Sequence, residues 1–345
     1  MLAKMQILYL RTWPTNIGNA FIDLGGLQCL KKALPESEIH SLGGLGRRLL
    51  HACAISRYQK AYSYYAHLIP FIRGILKKNV EHSISKKHYQ KIFAQTNTNI
   101  KNFLDMSLAL QTEFVVVSGC ILTSQLGLFS STLMSLKKRN RKIILNAVGG
   151  DSYSQVEVEI VRGFLKELKP YAFISRDREA FINYRDLSEH SYDGIDAAFF
   201  LDDYFKPPKL QLPEYVVLNF DMREEPLIDV DCDLILRTSH FNYPPIEGAI
   251  VRKIYQRPNL LVSDNPKDYL TVYANAKEVH SNRVHACVAT LSFGKPCKLY
   301  NKTKRALLLD RVDAGNVRER LTTLNSEEIE RDKIKQMKFL REILI

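Results

Sequence analysis

The chain has 345 residues, is 46% hydrophobic and 25% charged, and carries a formal net charge of +12. At roughly 100–200 residues per domain, that length predicts two domains, and a chain this apolar is not disordered as a whole. Its apolar runs fall short of the ~20 residues that a membrane span needs, and no signal-peptide pattern opens it, so a cytoplasmic location is expected.

Short apolar runs alternate with longer amphipathic ones, the pattern of an α/β protein with parallel sheets. Residues 5–10 read as a strand, Asn16-Ile17-Gly18-Asn19 as a turn, and a helix follows. Strands are predicted at 114–118 and 143–148, the second ending at Gly149-Gly150. Residues 154–168 have helical spacing, 171–175 read as a short strand and 177–184 as a helix. Lys206-Pro207-Pro208 and Pro213 then mark a linker. Beyond it, strands are predicted at 215–220, 234–237, 260–263, 278–280 and 297–300. Helices are predicted at 268–274, 284–292 and 327–345. These predict two Rossmann-like domains facing across a cleft, residues 1–205 and 206–345, the second including the final amphipathic helix. Ligands of such sheets bind beyond the carboxyl ends of the strands.

Residues 50–78 differ from the rest. Tyr58, Tyr62, Tyr65, Leu68, Ile69, Ile72 and Ile75 can share one helical face, with Arg57, Lys60, Arg73, Lys77 and Lys78 beside them and a break at Pro70. This pattern suits a core-packing helix with a solvated basic side, or a helix lying peripherally on an anionic membrane face. Between Lys31 and Lys101 the only acids are Glu36, Glu38 and Glu81. That imbalance fits an anionic membrane, an acidic substrate or a plain basic surface. Nucleic acid is not expected, because no helix-turn-helix, zinc-finger or RNA-binding pattern is present. The six cysteines (Cys29, Cys53, Cys120, Cys232, Cys287 and Cys297) form no CxxC pair, so reduced thiols are expected rather than a zinc site.

The segment most suited to chemistry is His280-Ser281-Asn282-Arg283-Val284-His285. A strand ends there and a helix begins, which places Ser281, Asn282 and Arg283 at a helix N-terminus. Free backbone N–H groups at such a site favour an anion, and an arginine adds a two-pronged donor. His285 can carry a proton near neutral pH. The same residues also read as an ordinary N-cap, Ser281 or Asn282, followed by a surface or core histidine, and residue type alone slightly favours that plainer reading. Lys302 and Lys304 follow the strand at 297–300 and read as phosphate contacts or as a solvated loop. Arg237 and His240 form a further candidate pair after a predicted strand.

The order Ser281-Asn282-Arg283-Val284-His285-Ala286, then Phe293-Gly294-Lys295-Pro296, resembles the C-terminal hallmark of the polysaccharide pyruvyltransferases. The family's Tyr-x-Lys element looks like Tyr300-Asn301-Lys302, with Lys304 a competing register. Weaker elements follow in order over about residues 5–315. Asn16-Ile17-Gly18-Asn19 resembles an Asn-x-Gly-Asp loop, with Asn19 in place of the aspartate. Residues 115–119 resemble a strand ending in glycines, with Cys120 at a position where glycine is common. Ser175-Arg176-Asp177 resembles an Arg-Asp pair that opens a helix. Asp196-Ala197-Ala198-Phe199 resembles an Asp-Pro-Ala-Phe element, with Ala197 in place of the proline.

The resemblance implies a GT-B-like fold and a transferase. It would move a pyruvyl group from phosphoenolpyruvate onto two hydroxyls of a sugar in a polysaccharide or glycan precursor, leaving a cyclic ketal, with no cofactor and no metal. It implies catalytic roles for Arg283 and His285. Donor contacts are expected from Arg283, Ser281, Asn282, Arg176, Lys302 and Lys304, although Arg176 also reads as a partner of Asp177. Acceptor contacts are expected from Asn16, Gly18 and Asn19. The acceptor is a sugar or glycan, free or lipid-linked. Two rivals remain at this stage: a GT-B nucleotide-sugar glycosyltransferase, and a non-catalytic member that binds glycan or membrane.

Overall fold

The computed structural model describes residues 4–12, 16–44, 104–123, 125–221, 223–240 and 256–345. The predicted helix at 50–78 lies outside them. Two fully parallel sheets organise the chain. The first has six strands in the order β2-β1-β3-β4-β5-β6: β1 (Gln6–Arg11), β2 (Glu38–Gly43), β3 (Phe114–Gly119), β4 (Lys142–Val148), β5 (Ala172–Ser175) and β6 (His190–Asp193). The second has five in the order β11-β10-β7-β8-β9: β7 (Tyr215–Asn219), β8 (Leu234–Thr238), β9 (Leu260–Leu261), β10 (Glu278–Ser281) and β11 (Cys297–Leu299).

Helices of seven residues or more are numbered α1 (Ile17–Ala33), α2 (Leu126–Lys138), α3 (Gln155–Leu168), α4 (Arg178–Tyr184), α5 (Pro266–Asn275), α6 (Val284–Ser292) and α7 (Ser326–Leu344). Their starts follow capping chemistry. Asn16, Ser154, Asp177, Asn265 and Asn325 each accept a backbone N–H of the following turn through the side chain. The central strands are covered on both faces and are nearly continuous apolar runs, as in other parallel sheets.

The expected α/β architecture with parallel sheets is therefore present. The sequence reading missed β2, α2 and β6. The first and last of these strands are the edges of their sheet, and neither contains a buried residue.

Helix α1 joins the two halves. It packs against the short 3₁₀ segment Ala197–Phe200, against α6 of the second half and against α7. One buried cluster accordingly runs from Ile7, Phe21 and Phe199 of the first half to Tyr269, Val279 and Val288 of the second. Near its carboxyl end β4 bulges: its register slips against both neighbours, and Ala147 takes a left-handed φ of 53°. Bulges of this kind re-aim a strand end. Here the chain runs on into Gly149, Gly150 and Asp151, and Asp151 meets Arg305 of the second half. No helix among the described residues is long and apolar enough to cross a membrane.

Candidate active site

The carboxyl ends of both sheets open onto one cavity of about 370 Å³. From the first half it is lined by Asn16, Gly18, Asn19, Cys120 and Asp151. From the second come Arg223, His240, Asn282, Arg283, His285, Asn301, Thr303 and Arg305, among others. The site thus lies where parallel α/β sheets place ligands.

The turn between β10 and α6 is built by Ser281 and Asn219. The Ser281 hydroxyl donates to Asn219 Oδ1 at 2.8 Å and accepts the Arg283 backbone N–H at 2.8 Å. Asn219 in turn donates to Thr238. Ser281 is fully buried and does not line the cavity. It shapes the turn rather than meeting a ligand, a correction to its expected donor contact. Arg283 stands at the N-cap of α6, and no side chain caps that helix. Its Nε donates to Asp221 Oδ1 at 2.5 Å, and the other oxygen of Asp221 accepts the His240 backbone N–H at 2.7 Å. One buried carboxylate at the end of β7 therefore fixes both cavity-lining residues. Asn282 is 1% exposed, lines the cavity, and has no hydrogen-bond partner at either atom of its side-chain amide. Such a group ordinarily has a partner, in water or in a ligand.

His285 reaches across the cleft. Its Nε2 lies 3.3 Å from Asp196 Oδ2, and Asp196 belongs to the first half. Asp196 is fully buried, and the Arg176 guanidinium sits 3.1 Å from the same oxygen. Burial works against the carboxylate, but His285 and Arg176 outweigh it and hold the pKa down at about 2. Arg176 is 0% exposed and does not line the cavity; Gly149 lies over it so closely that a Cβ there would come within 2.5 Å of its Nε. Direct contact with a donor is therefore closed to Arg176. Its counter-charges are Asp196 and, at 4.0 Å, Asp177. Asp177 also accepts from the Tyr153 hydroxyl at 2.7 Å, and burial raises its pKa. His240 is buried against Tyr273, with 2.7 Å between ring Nε2 and hydroxyl. Burial, then Arg283 and His285, push its pKa well below the ordinary histidine value, so it is neutral at neutral pH.

The loop at Asn16 follows capping rules, since its side chain accepts the Gly18 N–H at 2.8 Å. The next residue, Ile17, donates its backbone N–H to the His240 carbonyl at 3.0 Å, tying the loop to the second half. A Cβ on Gly18 would stand 3.2 Å from the His285 Cβ, so the loop and the histidine are in close contact.

Lys302 and Lys304 are exposed and do not line the cavity, contrary to the expectation for them. Asn301, Thr303 and Arg305 face it instead, in alternation beyond β11. Thr303 caps a short 3₁₀ helix, Lys304–Ala306, and that turn brings Arg305 to the cavity while Lys302 and Lys304 stay in solvent. The sequence reading also passed over Asp151, Asp221 and Arg223. Asp151 could have been marked by its place after the Gly149-Gly150 end of a strand. The other two follow β7 as Asp221-Met222-Arg223, the same kind of position.

The model of the family described as polysaccharide pyruvyl transferase matches residues 16–297. The chain belongs to this family, and its members are transferases. A search of curated proteins returned no significant match. Among solved structures, a UDP-N-acetylglucosamine 2-epimerase from Rickettsia bellii is similar at 13% identity and a TM-score of 0.49, covering 99% of this chain and 96% of its own. A UDP-GlcNAc 2-epimerase from Methanocaldococcus jannaschii is similar at 11% and 0.48, covering 97% and 93%. A spinosyn rhamnosyltransferase complexed with its aglycone is similar at 6% and 0.42, covering 99% and 92%. Each is a likeness in chain path and no more.

Proposed function

We propose that this pyruvyl transferase moves the pyruvyl group of phosphoenolpyruvate onto two hydroxyls of one sugar in a polysaccharide or glycan precursor, forming a cyclic ketal. The observation that carries the reading is the convergence of Arg283, Asn282 and His285 on one cavity between the two halves. Arg283 and the uncapped start of α6 offer positive charge to a carboxylate or phosphate. Asn282 supplies an amide with no protein partner. Asn16, Gly18 and Asn19 line the opposite wall and are assigned to the acceptor, so that the donor side is the second half, residues 206–345. The reaction is taken to occur in the cytoplasm, on a free or lipid-linked acceptor, without a cofactor.

In this scheme the methylene carbon gains a proton, which makes the central carbon electrophilic. One hydroxyl oxygen bonds to that carbon. The second hydroxyl then bonds to it as the carbon–oxygen bond to phosphate breaks. Of the two hydroxyl protons, one balances the new C–H bond and the other leaves with phosphate. His285 carries protons between these sites, with Asp196 holding its Nε2. Holding two hydroxyls near one carbon is a matter of orientation, which a cavity closed on two sides provides.

Calorimetric titration with phosphoenolpyruvate tests the reading. Saturable binding is expected, with affinity about tenfold or more lower in Arg283→Ala, the scale of a lost charge-assisted hydrogen bond. Because that change leaves Asp221 buried without its cation, Arg283→Lys serves as the milder variant, keeping the charge but losing the fork. Binding of a nucleotide sugar and not of phosphoenolpyruvate would overturn the assignment.

A further inference from the structure

One acid lies among the arginines of the cavity wall. The lining residues include Arg223, Arg283 and Arg305, and Asp151 is the carboxylate among them. Asp151 belongs to the first half and Arg305 to the second. They meet across the cleft in a two-pronged pair: Arg305 Nε donates to Asp151 Oδ1 at 2.6 Å and Nη2 donates to Oδ2 at 2.8 Å. A guanidinium presents the same fork to two oxygens of a carboxylate or of a phosphate.

Two further observations mark this part of the cavity as a ligand seat. Asn301, Thr303 and Arg305 turn inward together, and Arg223 donates to Asn301 Oδ1 at 3.3 Å, so cationic and neutral donors gather on one wall. Asn282 also lines the cavity, and neither atom of its buried side-chain amide has a hydrogen-bond partner.

We propose that Asp151 is a resident anion on Arg305, occupying the seat that the phosphate of the donor takes, so that donor binding replaces the carboxylate and opens the pair across the cleft. The seat for an anion stands on the ion pair and the lining around it, whatever the reaction. That the anion is phosphoenolpyruvate rests on the reading given under the preceding heading.

The pair is about two-fifths exposed on each side, so removing either partner leaves no buried charge and the variants are expected to fold. The experiment is calorimetric titration of the whole chain with inorganic phosphate and with phosphoenolpyruvate. Asp151→Asn removes the competing carboxylate, and an apparent affinity lowered by a mostly closed pair should recover by about two- to tenfold for both ligands. Arg305→Gln should weaken both by about tenfold or more. In the double variant the gain from Asp151→Asn should vanish, because there is no guanidinium left to release. Unchanged or weaker phosphate binding in Asp151→Asn would overturn the proposal. So would an equal gain in the Arg305→Gln background, which would mean that Asp151 acts only as a nearby negative charge. Phosphate that tightens as expected while phosphoenolpyruvate fails to bind would leave the seat standing and remove the pyruvyl-transfer reading.

Discussion

Asp196 has Arg176 and His285 as neighbours at a fully buried position, and that sets the residue-scale behaviour of the site. Its folded pKa, held at about 2 by His285 and Arg176 against the cost of burial, lies below the ~3.9 of a free aspartate. A depressed carboxylate contributes stability that is complete above the unfolded pKa and is lost as pH falls through the folded one. The contribution is therefore whole above about pH 4 and disappears toward pH 2, amounting to roughly 2–3 kcal/mol. Asp177, whose pKa burial raises, works in the opposite sense. The difference between wild type and Asp196→Asn isolates Asp196 from it. In urea unfolding at pH 7, Asp196→Asn is expected to cost about 3 kcal/mol, because Arg176 would keep only Asp177 at 4.0 Å. That gap should narrow as pH is lowered from 4 to 2, and a gap constant with pH would contradict the assignment. The sequence showed His285 and Asp196 as motif members, but not their pairing, because the two lie on opposite halves. It also placed lysines where Arg305 lines the cavity, because the 3₁₀ turn at Lys304–Ala306 that brings Arg305 inward follows a predicted strand and has no apolar pattern to mark it.

At the scale of elements, α1 shows why some positions read clearly and others did not. Its start was legible because Asn16 and Gly18 obey capping and turn chemistry. Its middle carries Gly25-Gly26, residues that normally weaken a helix. Their reason is packing: a Cβ on Gly25 would come within 2.0 Å of the Ala197 carbonyl oxygen. That contact holds α1 against the segment that carries Asp196, so Gly25 acts on the site at a distance. Gly25→Ala is expected to destabilise by about 1–3 kcal/mol, the cost of overpacking, in thermal or urea unfolding. It should also weaken phosphoenolpyruvate binding, by displacing Asp196 from His285. Gly163→Ala is the control, since it meets nothing within 4 Å and should be neutral or stabilising. Central strands were legible for the opposite reason: burial on both faces leaves continuous apolar runs. β2 and β6 were missed because an edge strand with no buried residue has no apolar signature to read.

For the whole molecule, the last helix adds a second tie to the core that the two halves share through α1. The chain completes its second sheet and then sends α7 back onto the first half. Gln336 Oε1 accepts the Ile195 N–H at 2.8 Å, the Tyr171 hydroxyl donates to the Ile343 carbonyl at 2.7 Å, and Arg341 Nε donates to the Ala33 carbonyl at 3.0 Å. Ile195 precedes Asp196, so this helix supports the backbone that presents the carboxylate to His285. The centre of the contact is Lys333, 1% exposed, whose ammonium meets Asp202 Oδ1 at 2.6 Å and Asp203 Oδ2 at 3.1 Å. Burial opposes the charge, but the two carboxylates outweigh it and raise the pKa. Lys333→Ala removes one cation from two acids. Both acids retain some exposure, and Lys32 still pairs with Asp203 at 2.6 Å. The expected loss is therefore roughly 2 kcal/mol in urea unfolding, below the ~3–5 of a fully enclosed pair. Because the two halves share one core through α1, a single unfolding transition should persist in Lys333→Ala, with its midpoint lowered and its slope unchanged. Two separated transitions would instead mean that Lys333 and α7, rather than the shared core around α1, couple the halves on either side of the cavity.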